Sequence, residues 1–120
     1  KPAPDPAAVL RVHAAQQEGK PLEIVWNGGT LLNNAWLIPK GPPNLSNAQK
    51  FIAFSLSAVA QARYSLLLPY GFTNVNAARY IPADVMKTLP TAPENAKQMI
   101  AYQHEWWGAN RAELVEKFNK

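Results

Sequence analysis

The side chains with most to offer a ligand are amides and aromatic rings: Trp26, Asn27, Asn33, Asn34, Trp36, Tyr70, Trp106 and Trp107. Carboxamides donate and accept hydrogen bonds without carrying charge. Ring faces hold apolar bodies or cations. Together these groups suit a cleft for a small organic solute. They equally suit ordinary packing, because most buried aromatics only fill cores. Catalytic chemistry has less to stand on. His13 and His104 are far apart, and His104-Glu105 lacks the second histidine of H-E-x-x-H. No serine sits in G-x-S-x-G, and Gly28-Gly29 is too short to cradle a phosphate. The eight carboxylates are dispersed, so no acid/base pair is defined. With no cysteine in the chain, disulfides and thiolate metal sites are excluded, and no cofactor is expected.

The 120 residues are enough for one domain, and a 48% hydrophobic content with four tryptophans can supply a core. No run of about 18 apolar residues is present to cross a membrane as a helix. No signal-peptide pattern opens the chain, which starts at Lys1. The net charge of +4 comes from twelve basic residues of which no two are adjacent. Nucleic-acid binding calls for a basic cluster or stripe, so no nucleic-acid partner is expected.

These groups must be held by elements that the local pattern predicts. Prolines at every even position of 1–6 make an extended start, and Asp5 with Pro6 can open a helix ending at Gly19. Alternation of Leu22, Ile24 and Trp26 predicts a strand over 21–26. Asn27-Gly28-Gly29 predicts a tight turn. It leads either into a hairpin with a second strand over 30–38 or across to another sheet. That second strand would put Leu32, Asn34, Trp36 and Ile38 on one face and Asn33 on the other. Asparagine is disfavoured in strands. The two amides therefore mark either a strand end near water or a ligand-facing position. Ser46-x-x-Gln49 predicts a capping box, with Ala48, Phe51, Ile52 and Leu56 at core spacing. Ser57 can cap a further helix to about Leu67 that buries Val59, Ala62 and Leu66. Short helices are expected at 76–80 and 82–89, and Thr91-x-x-Glu94 forms another box with Pro93 just inside. A last helix from Glu105 or Trp106 buries Trp107, Leu114, Val115 and Phe118, with Glu113 and Lys117 as an i,i+4 pair.

The run R-x-x-A-A-Q-x-E-G-K-P-L-E-I-V-W-N-G-G from Arg11, followed by N-N-A-W-L-I-P-K-G-P-P-N-L-S-N-A-Q-K-F-I-A-F-S-L-S, resembles the periplasmic solute-binding proteins of ABC transporters, nearest to the spermidine/putrescine-binding branch. P-Y-G-F-T-N-V-N-A-A-R-Y-I-P, L-P-T-A-P-E-N and E-W-W continue the resemblance to about residue 119. It implies an α/β chain: the C-terminal segment of a two-lobe clamshell, helix-rich with two or three strands. Residues 1–29 would end one lobe, 30–68 contribute to the other, and 69–120 return. A segment covering about a third of such a protein would expose apolar faces, so association or element exchange between copies is expected to complete it as a homo-oligomer.

The resemblance implies a periplasmic protein that captures a small organic solute, polyamine-like or otherwise, and delivers it to ABC permease membrane subunits without chemistry. Trp26, Asn27, Asn33, Asn34 and Tyr70 are the expected ligand-binding residues, Tyr70 matching a ligand-contacting tyrosine of the family. At three positions the chain departs from the polyamine pattern, one of them Gln103, where relatives often have an aspartate near E-W-W. Leu32 stands where relatives place a tryptophan, and Asn34 where they place the aspartate that holds an amine. A structural, self-associating chain that binds no ligand is the alternative reading.

Overall fold

The computed structural model describes residues 6–119. Local signals explain most helix ends. The first helix, α1 (Pro6–Gln17), stops in a Schellman motif: Lys20 N–H donates to the Ala15 carbonyl at 3.0 Å and Gly19 N–H to that of Gln16 at 2.9 Å. The motif needs a left-handed residue, and Gly19 supplies it at φ 77°. The Asp5 cap lies outside the described residues.

The tight turn forms as expected. Gly29 N–H donates to the Trp26 carbonyl at 2.9 Å, and Gly28 takes φ 73°. It makes no hairpin. Residues 21–26 pair with no strand among the described residues, and the predicted 30–38 strand shrinks to β1 (Thr30–Leu31). β1 pairs in parallel with β2 (Ile100–Ala101), Thr30 opposite Ile100 and Leu31 opposite Ala101. Residues 32–38 have the alternation of a strand, but the described chain offers nothing to ladder against.

A corner at 39–43, with Gly41 at φ 75°, leads to α2 (Leu45–Ser55). The Ser46 box does not form. Asn44 is the N-cap residue, and Ser46 already lies inside the helix. Ser57 does cap α3 (Ala58–Leu67), its Oγ accepting from Ala60 N–H at 3.3 Å. A 3₁₀ helix (Val75–Tyr80), α4 (Ala83–Met86) and α5 (Pro93–Ala96) follow, and α6 (His104–Phe118) ends the chain. Pro93 opens α5 as expected, but Thr91 is not its cap. Its hydroxyl accepts from Phe72 N–H at 3.3 Å instead. The Glu113–Lys117 pair is made at 2.5 Å and, being exposed, contributes only a few tenths of a kcal/mol.

The core is small and sits between α3 and residues 72–92. Ala62, Ala77, Ile81 and Leu89 are buried, with Phe72, Val85 and Met86 against them. Asn95 is buried among them with its amide satisfied by the Lys87 and Leu89 carbonyls at 2.9 and 2.8 Å. Most of the other faces predicted as core are open. Phe51, Leu56, Val59, Leu66, Val115 and Phe118 are all exposed, Phe118 at 90%. The apolar stripes are where the spacing puts them; no other described element covers them. The accessible surface is 9520 Å², against roughly 6,400 Å² for a compact monomer of this mass. The radius of gyration is 17.0 Å, against about 14 Å for a compact chain of this length.

Candidate ligand-binding groove

A groove of about 860 Å³ runs between the segment from Ile24 to Trp36, α2, α3 and the loop from Pro69 to Thr73. Four of the five expected ligand-binding residues line it together: Trp26, Asn33, Asn34 and Tyr70. Asn27 does not. It is exposed in the Trp26–Gly29 turn, outside the lining. Trp36 also lines the groove and meets Phe51 of α2 edge to face, with ring centroids 5.1 Å apart. Trp106 and Trp107 lie elsewhere, in a cluster with Tyr102 at the start of α6, where Tyr102 and Trp107 stack at 5.8 Å.

Two lining residues on α3, Gln61 and Tyr64, were not anticipated from sequence, where α3 shows only core spacing. The Tyr64 ring stacks on Tyr70, with centroids 5.8 Å apart and planes 6° from parallel. Gln61 brackets the loop that follows Tyr70. Its Oε1 accepts from Thr73 N–H at 2.9 Å and from Asn74 N–H at 2.8 Å, and its Nε2 donates to Thr73 Oγ1 at 3.0 Å. Asn74 extends the bracket by donating from Nδ2 to the Leu56 carbonyl at 2.9 Å. Before the loop, Tyr70 N–H donates to the Leu68 carbonyl at 2.6 Å across buried Pro69, a three-residue turn that the fixed φ of proline favours. Gly71 then passes so close to Thr91 that any side chain there would force Thr91 to shift. An added Cβ would lie 2.3 Å from Thr91 Cγ2.

The groove's electrostatics are simple. Among the described residues, no Asp, Glu, Lys, Arg or His side chain lines it; the polar groups there are carboxamides, hydroxyls and backbone. The two histidines lie away from it. His13 lines a separate cavity of about 330 Å³ with Asp84 and Thr88, and His104 meets Tyr102 edge to face at 4.8 Å. Among the described residues, no group of three or more His, Cys, Asp or Glu could hold a metal ion. No described helix is long and apolar enough to cross a membrane.

Residues 9–99 match the family described as bacterial extracellular solute-binding protein. The chain belongs to that family. This solute-binding protein is 38% identical over 109 residues to the gamma-aminobutyric acid-binding protein of Pseudomonas aeruginosa, a match covering 91% of this chain and 31% of that protein. Among solved structures it superposes on the binding protein AgtB of A. tumefaciens, determined in complex with agropinic acid. The TM-score is 0.77 at 32% identity, over 92% of this chain and 35% of that one. The helix-rich α/β architecture is therefore that of a periplasmic binding protein, and the chain spans about a third of the length of these relatives. The spermidine/putrescine subtype is not among these similarities. Both named relatives are binding proteins.

Proposed function

We propose that this chain is the C-terminal portion of a periplasmic binding protein that captures a small organic acid and delivers it to an ABC permease, with no catalytic step. The observation that carries the solute class is that no charged side chain is among the described residues lining the groove. A polyamine holds its charge on ammonium groups, and these require carboxylates or ring faces to replace water. Among the described residues the groove offers ring faces but no carboxylate to pair with such charges. Carboxamide and hydroxyl groups instead provide N–H and O–H donors for a carboxyl group, while Trp26, Tyr64 and Tyr70 cover an apolar body. The two named relatives bind molecules that are both organic acids. In this reading Trp26, Asn33, Asn34 and Tyr70 face the solute, and Asn27 serves the turn. Residues 1–29 close one lobe, 30–68 contribute to the other, and 69–120 return. The core joins α3 to residues 72–92, so in this reading the first part of the return packs against the 30–68 contribution. Calorimetry on the full natural polypeptide carrying this sequence tests the assignment. Gamma-aminobutyric acid is expected to bind saturably and putrescine more weakly; tighter binding of putrescine overturns the solute class.

A second reading is favoured by the exposed surface. The excess over a compact monomer is roughly 3,000 Å², the size of a large obligate interface. As an isolated 120-residue chain the protein is expected to self-associate, with its open helix faces against a second copy. Sedimentation velocity checks this, and a folded, monodisperse monomer at micromolar concentration excludes it.

A further inference from the structure

We propose that Gln61 is a specificity-determining residue of the groove, presenting a hydrogen-bond donor and never an acceptor to the solute. The proposal rests on the binding role above and deepens it. A glutamine amide can ordinarily present either end, because its oxygen and nitrogen interchange by rotation. Here it cannot. Backbone N–H groups of Thr73 and Asn74 only donate, and both point at one end of the amide, at 2.9 and 2.8 Å. That end must be Oε1, and its two lone pairs are then used. Nε2 donates one of its two protons to Thr73 Oγ1 at 3.0 Å. One N–H remains unspent on a half-buried residue that lines the groove.

A fixed donor distinguishes the two ends of a solute. It meets a carboxylate or carbonyl oxygen with a hydrogen bond, and it meets an ammonium group donor against donor. The same amide holds the loop after Tyr70, while Tyr64, three residues further along α3, stacks on the Tyr70 ring. One face of α3 thereby sets both the position of Tyr70 and the polarity presented beside it.

The test uses two substitutions in the full natural polypeptide. Gln61→Glu keeps oxygen acceptors for Thr73 and Asn74 N–H but removes the donor. Gln61→Ala removes the bracket as well. In ligand-free hydrogen exchange followed by NMR, the Thr73 and Asn74 amides are expected to stay protected in Gln61→Glu and to exchange about tenfold faster or more in Gln61→Ala. Unchanged exchange in Gln61→Ala overturns the bracket. In titrations with gamma-aminobutyric acid, Gln61→Glu is expected to weaken binding roughly tenfold or more, since a hydrogen bond to a charged group is lost and a like charge gained. Equal affinity in Gln61→Glu, with exchange preserved, overturns the donor role. Failure of gamma-aminobutyric acid to bind the unsubstituted protein instead overturns the solute class under the binding role, and with it the ligand half of this proposal; the exchange measurement still decides the bracket.

Discussion

Replacing Gly71 with alanine is expected to cost about 2–4 kcal/mol of stability, the sum of an overpacking term and a lost hydrogen bond. The added methyl would sit 2.3 Å from Thr91 Cγ2, 2.9 Å from its Oγ1 and 3.1 Å from its Cβ. A carbon fixed to the backbone cannot rotate away, so Thr91 must move. Its hydroxyl then leaves Phe72 N–H, which it accepts from at 3.3 Å. Phe72 packs against the buried cluster of Ala62, Ala77, Ile81 and Leu89. The strain therefore reaches the one well-packed part of the chain. Chemical denaturation should show a lower midpoint with little change in slope. The double variant Gly71→Ala, Thr91→Ser removes the closest carbon while keeping the hydroxyl, and it should recover part of the loss. No recovery would mean that the clash is not with Thr91.

Asn34→Asp is expected to invert the preference of the groove. An aspartate at this position is what the polyamine-binding pattern would use to hold an amine. The substitution would place a formal charge in a lining that has none among the described residues. Asn34 is exposed, so solvent screens the new charge. The expected gain for an ammonium ligand is about 1–2 kcal/mol, or roughly five- to thirtyfold. Putrescine should therefore bind about tenfold more tightly, and gamma-aminobutyric acid should lose a comparable factor if its carboxyl end lies near residue 34. Calorimetry with both ligands measures the inversion. Unchanged affinity for both would remove Asn34 from the solute's surroundings. The effect should shrink in high salt, which a loss caused by misfolding would not show.

What could be read directly from the sequence was local. Gly19 had to stop a helix because only a left-handed residue completes that cap. Ser57 had to start one because its hydroxyl reaches Ala60 N–H from three residues away. Pro93 at a helix start follows from its missing donor. Features decided at a distance were not legible. Thr91 has the spacing of a capping box, but its hydroxyl is used by Phe72, nineteen residues earlier. The stretch from Leu32 to Ile38 has the alternation of a strand, yet alternation cannot supply a neighbour. Phe51 and Phe118 have the spacing of core residues, and spacing cannot say what covers them. The groove divides in the same way. Trp26, Asn33, Asn34 and Tyr70 attract notice by residue type. Gln61 and Tyr64 acquire their roles only when residues 70–74 fold back onto α3.

The short parallel ladder sets an order of events. Thr30 lies against Ile100, so two strands of two residues each close a loop of 70 positions. Closing a flexible loop of that length costs about 4 kcal/mol beyond a constant term. Three backbone hydrogen bonds that flank the ladder's own pairing oppose it: Ile100 N–H to the Gly29 carbonyl, Tyr102 N–H to that of Leu31, and Gly28 N–H to that of Gln98. At a net worth near 1 kcal/mol each, they roughly cancel the closure cost and leave no surplus. The ladder therefore forms only after α3 and residues 72–95 have folded and shortened the effective loop. On the return journey it opens first. Thermal fluctuation at this clasp leaves the rest of the molecule intact, so the segments around residues 30 and 100 are joined by a reversible fastening rather than a weld.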